Sequence, residues 1–87
     1  MTDKEVFEKF MGWMGMKLSK TKTIDKKTVV QYDDSYKCDA RVTKQGYEEF
    51  YAGAILDEKG GMVKSYIDSH VAYTSDNRDK ISEILKD

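Results

Sequence analysis

Glu49-Phe50-Tyr51-Ala52-Gly53-Ala54-Ile55-Leu56-Asp57-Glu58-Lys59-Gly60-Gly61-Met62-Val63-Lys64-Ser65-Tyr66-Ile67 holds two β-prone runs around an Asp-Glu-Lys-Gly-Gly reversal. Glycine enters the left-handed backbone region that tight turns need, so the reversal predicts an antiparallel hairpin. Helical spacing competes: Tyr47, Phe50, Tyr51, Ala54 and Ile55, then Met62, Val63, Tyr66, Ile67, His70 and Val71, also fit two amphipathic helices. Strands are favoured because Phe50, Ala52, Ala54 and Leu56 alternate, and Gly53 would weaken a helix by roughly 1 kcal/mol.

If Asp57 pairs with Met62, Leu56 opposes Val63 and Ala52 opposes Ile67 on an inner face, Tyr66 covers Gly53, and Glu49 meets His70 outside. Tyr51, Ile55, Met62 and Tyr66 then share the outer face, which a one-layer sheet does not require. Either a helix covers that side too, or these four form an aromatic patch for a protein partner or a second copy of the chain.

Upstream, Thr2-x-x-Glu5 is a capping box, Met1 and Val6 suit a hydrophobic staple, and Asp3 and Glu5 suit the positive helix end. A helix is expected from Asp3, with Gly15 as its stop and Val6, Phe7, Phe10, Met11, Trp13 and Met14 as a wide stripe assigned to the core. Three extended pieces follow, Lys17 to Ile24, Thr28 to Tyr32 and Tyr36 to Thr43, with turns at Asp25-Lys26-Lys27 and Asp33-Asp34-Ser35. In the third, Cys38, Ala40 and Val42 alternate with Lys37, Asp39, Arg41 and Thr43. The lysine-rich first piece suits an edge strand. Ser75-Asp76-Asn77 before Ile81, Ile84 and Leu85 marks a short C-terminal helix.

The 87 residues therefore read as one α+β domain spanning 1–87: an N-terminal helix, an antiparallel β-meander of four to five strands, and a C-terminal helix. Charged residues make up 36% of the chain but cancel to a net −1, so bulk charge selects no partner. Lone Cys38 excludes an internal disulfide, and with His70 as the one histidine the usual structural zinc cluster is excluded too. The polar start and the lack of a long apolar run lead to the expectation of a cytoplasmic protein away from membranes.

Chemistry-bearing patterns are sparse. His70, with Asp68 two residues before it, is the one side chain with an ordinary pKa near neutrality, and no nucleophile motif accompanies it. Asp33-Asp34, Glu48-Glu49 and Asp57-Glu58 lack the spacing of a calcium loop, and Gly60-Gly61 and Gly12-x-x-Gly15 lack the context of a phosphate cradle. No catalytic residue, metal or cofactor is expected. Lys17, Lys20, Lys22, Lys26 and Lys27 form the one local charge asymmetry and the alternative site, for nucleic acid; no arginine or aromatic lies among them to read or stack a base.

Two stretches carry a resemblance: Glu5-Val6-Phe7-Glu8-Lys9-Phe10-Met11-Gly12-Trp13-Met14-Gly15-Met16-Lys17-Leu18, and Gly46-Tyr47-Glu48-Glu49-Phe50-Tyr51-Ala52 leading into Leu56-Asp57-Glu58-Lys59-Gly60. Over about a third of the chain they resemble small proteins encoded by phages and prophages of Gram-positive bacteria, which pair such a helix with a hairpin on an acidic, glycine-ended loop. The chain departs from that pattern where Ala52, Gly53 and Ala54 run consecutively in place of bulky residues. The resemblance implies an accessory product that binds a host or phage component. The expected function is thus a non-enzymatic protein-interaction module acting through Tyr51, Ile55, Met62 and Tyr66.

Overall fold

In a computed structural model, the described residues are 1–34, 42–43, 46–47, 50–69 and 76–86. They form helix α1 (Asp3–Trp13), strands β1 (Met16–Ile24), β2 (Lys27–Asp34), β3 (Val42–Thr43), β4 (Gly46–Tyr47), β5 (Phe50–Leu56) and β6 (Met62–Ser69), and helix α2 (Asp76–Leu85). Four strands make one antiparallel sheet in the order β1-β2-β5-β6, and β3-β4 is a separate two-stranded ladder. The chain is α+β, as its helix and hairpin signals require.

The 50–67 stretch is a β-hairpin, and the competing pair of helices is not what forms. Asp57 makes the turn: its Oδ1 accepts the amides of Lys59 (2.9 Å) and Gly61 (2.8 Å), while Gly60 supplies the left-handed residue at φ +85°. Ala52 faces Ile67 and Gly53 faces Tyr66, as alternation predicts. Nearer the turn the register shifts: Ile55 faces Lys64 but Leu56 faces Met62, which leaves Val63 as an extra residue in place of the expected partner of Leu56.

Two further boundaries differ from the sequence reading. Asp33 and Asp34 continue β2, paired with Lys17 and Met16, so the turn expected there is not formed at those residues. Of the expected strand Tyr36 to Thr43, residues 36–41 lie outside the described residues, and Val42 and Thr43 pair with Tyr47 and Gly46, away from the main sheet.

The β1–β2 hairpin reverses over Asp25 (φ 49°) and Lys26 (φ 64°), a left-handed pair that lacks the customary glycine. Lys26→Gly should therefore raise stability by about 0.5–1 kcal/mol, read as a higher urea midpoint at unchanged slope.

Each face of the sheet carries its own core. On one side Phe7, Met11 and Met16 pack with Val30, Ala52, Ala54 and Leu56; on the other, Ile81 and Leu85 of α2 pack with Val29, Ile55 and Tyr66. Central strands buried on both faces lose simple alternation, which is why Val29-Val30 and Ala52 to Leu56 read as near-continuous apolar runs. The small Ala52 and Ala54 let α1 approach the sheet closely.

Candidate interaction surface

Position of α1 follows from its N-terminus. Thr2 Oγ1 accepts the Glu5 amide (3.3 Å) and the Thr2 amide donates to Glu5 Oε1 (3.1 Å), so the capping box forms as the sequence predicts. The same turn is tied to the β5–β6 hairpin: the Lys4 amide donates to Gly60 O (2.9 Å), and Asp3 Oδ2 accepts the Met62 amide (3.0 Å). These bonds hold α1 against the turn that opens β6.

From there the helix carries two stripes at i, i+4, i+7 spacing. Phe7, Met11 and Met14 turn inward, with the Phe7 ring edge-on to Tyr32 at 5.7 Å. Val6, Phe10 and Trp13 turn outward, 52%, 41% and 81% exposed, and the Phe10 and Trp13 rings stack at 5.9 Å. The sequence pattern places all six in the core, but Val6, Phe10 and Trp13 lie outside it. An 11-residue helix lying on a sheet buries a stripe about 100° wide, and six large residues overflow it. The expected staple does not cover Val6 either, since Met1 is itself exposed.

The overflow adjoins β6. Val6, Phe7 and Phe10 line a groove of about 350 Å³ with Met62 and Asp3, and farther along β6 the side chains of Val63 and Ile67 are 49% and 46% exposed. Both were expected inside. The buried core under α1 draws on β1, β2 and β5, and β6 adds only the partly buried Met62 to it, so Ile67, on the face of its partner Ala52, stays half exposed.

The predicted outer face is a covered one. Tyr66 and Ile55 are buried beneath α2 and Tyr51 packs against the same core with the Arg78 guanidinium 4.1 Å above its ring, so the aromatic patch drawn from the sequence is the seat of a helix. Met62 joins the opposite core because the shift after Ile55 carries it to the α1 side. Gln31 Nε2 donates to the Tyr66 hydroxyl (3.0 Å), and Asn77 Nδ2 of α2 donates to Ser65 O (2.9 Å). Burial pushes the Tyr66 phenol above its ordinary range, so the ring sits in this core as the neutral species.

The lysine stretch is exposed throughout, on β1, in the following turn and at the first residue of β2. Lys22 Nζ reaches Ile84 O (3.3 Å), where a cation complements the negative end of α2. Cys38, His70 and Glu48-Glu49 lie outside the described residues. Among the described residues no group of His, Cys, Asp or Glu is arranged to hold a metal ion, and no helix is long and apolar enough to cross a membrane. Compared with models of protein families, with curated proteins and with solved structures, the chain matches none.

Val6, Phe10, Trp13, Val63 and Ile67 are thus the residues sequence reasoning missed as surface. The signal for α1 was present: six large apolar side chains in nine positions exceed what one helix face can bury. For β6 there was no comparable signal, because alternation does not tell an edge strand from a central one.

Proposed function

We propose that this chain is a non-enzymatic protein-interaction module whose contact surface is the groove between α1 and β6. The observation that carries the reading is the outward stripe Val6, Phe10 and Trp13, which meets β6 at Met62, together with the half-exposed Val63 and Ile67 of that strand. Single exposed apolar residues are ordinary, but a stripe of three on one helix face, with phenylalanine and tryptophan stacked and Val6 and Phe10 lining a groove, is the composition of a protein contact. Asp3, the charged residue of the lining, already accepts the Met62 amide, so the groove offers an incoming chain mainly apolar contact. An accessory role, as the resemblance to small phage and prophage proteins implies, needs no more than such a surface.

A photo-crosslinking phenylalanine analogue in place of Phe10, expressed in the native cell, should give a discrete protein adduct, and the same analogue in place of Lys20 on the far edge should not. Adding Val6→Ser and Ile67→Ser should remove the adduct while the circular dichroism spectrum stays unchanged. No adduct at Phe10, or the same adduct from both positions, would reject the reading. The nucleic-acid alternative at Lys17, Lys20, Lys22, Lys26 and Lys27 takes its place if oligonucleotides bind with affinity that falls steeply with salt and is lost when these lysines are neutralised.

A further inference from the structure

The two edges of the sheet are built differently. β1 has a bulge at Ser19, between Leu18 and Lys20, and carries Lys17, Lys20 and Lys22, devices that discourage a further strand. β6 has a bulge at Val63 and one lysine, Lys64, but beyond Val63 its register with β5 is unbroken to Ser69, and its charged residues there are Lys64 and Asp68, one of each sign.

Among the described residues each charge sits with charges of both signs: Lys64 with Lys80, Asp79 and Glu83, and Asp68 with Arg78 and Asp79. Lys64 lies beside Lys80, and this like charge lowers the pKa of the Lys64 ammonium. Asp68 has a buried Oδ2 that no hydrogen-bond donor reaches among the described residues. Burial pushes its carboxyl above the ordinary range, partly countered by Arg78 and reinforced by Asp79. Lys64 and Asp68 are four residues apart on an extended strand, so both lie on the α2 side with Tyr66 between them.

Two copies of one strand joined antiparallel by a two-fold axis must place some residue opposite itself. Centring on Lys64 or on Asp68 opposes like charges. Centring on Ser65 sets Lys64 against Tyr66 and Asp68 against Met62, and centring on Ile67 sets Asp68 against Tyr66. Centring on Tyr66 sets Lys64 of each copy against Asp68 of the other, twice by symmetry, and sets Ser65 against Ile67 on the opposite face. We infer that the protein self-associates as a two-fold dimer through β6, centred on Tyr66, with reciprocal Lys64–Asp68 pairs across a continuous eight-stranded sheet. The occupant of this edge, unpaired among the described residues, is thus a second copy of this chain. Ile67, half exposed in one copy, gains cover from Ser65 and its neighbours in the other. This goes beyond the groove proposal and stands without it.

Sedimentation equilibrium should show a monomer–dimer equilibrium that weakens as salt rises. Lys64→Asp alone and Asp68→Lys alone should each weaken it by about tenfold or more, because each single variant opposes like charges in its own homodimer. An equimolar mixture of the two should dimerise again, since every opposed pair across the heterodimer is then Asp with Lys. As a measurement free of variants, amide exchange in residues 63–69 of the unaltered chain should slow as protein concentration rises, while that in 17–23 should not. A chain monomeric up to about 1 mM, single variants that dimerise as well as the unaltered chain, a folded mixture that stays monomeric, or concentration-independent exchange in β6 would each overturn the inference.

Discussion

Truncating Tyr66 to alanine should destabilise the fold by about 3–5 kcal/mol in urea titration, the range found when a buried aromatic is emptied from a core. The ring is 5% exposed, packs with Val29, Ile55, Ile81 and Leu85, and lies across the backbone of Gly53. For a domain of this size, whose total stability is of order 5–15 kcal/mol, that is a large fraction. Tyr66→Phe should cost about 1 kcal/mol, because it removes only the hydroxyl that accepts from Gln31. Gly53 is the reciprocal test. A Cβ there would lie 2.5 Å from Tyr66 Cε1, and the ring, held by α2 and by Gln31, has little room to retreat, so Gly53→Ala should cost about 1–3 kcal/mol. In a Tyr66→Leu background the same alanine should be near neutral, and that difference is the coupling between the two sites. A Tyr66→Ala protein that keeps its full urea midpoint would show that this ring is not core. The same burial means that Tyr66→Ala reports on folding and not on binding at this face.

Met11→Ala should cost about 2–5 kcal/mol, whereas Trp13→Ala, although it removes a larger side chain, should move stability by no more than about 0.5 kcal/mol. Met11 is fully buried between Phe7, Ala52 and Ala54, where the sheet backbone cannot follow a shortened side chain and a cavity remains. Trp13 is 81% exposed and packs chiefly on Phe10. The pair separates the two stripes of α1 in one urea experiment. A destabilising Trp13→Ala with a harmless Met11→Ala would mean that α1 is rotated on the sheet and that the outward residues are its core.

The cap at Thr2 and Glu5, the reversal at Asp57 and the triplet Ile81, Ile84 and Leu85 were each legible because local chemistry specifies them: a hydroxyl facing a free amide, a carboxylate turning back onto its own turn, a 3.6-residue period. The hairpin register was legible as far as Ile55, since a slip of one residue would exchange its two faces. Beyond it, the extra residue at Val63 left no mark in the residue pattern. The exposed apolar face was read at the wrong place for a related reason. Tyr51, Ile55 and Tyr66 form an apolar face whether or not α2 lies on it, and α2 is far from them along the chain.

By itself, then, the order of residues determined the element types, the central hairpin with Tyr66 over Gly53, and the α+β class, because each depends on groups a few residues apart or directly across one turn. Only the tertiary structure decided which apolar faces stay open. It laid α2 over the tyrosines, brought α1 to β6 only at Met62, and left Val6, Phe10, Trp13, Val63 and Ile67 exposed. A hydrophobic pattern states that a face is suited to burial; whether it is buried depends on the finite width of the element that arrives to cover it.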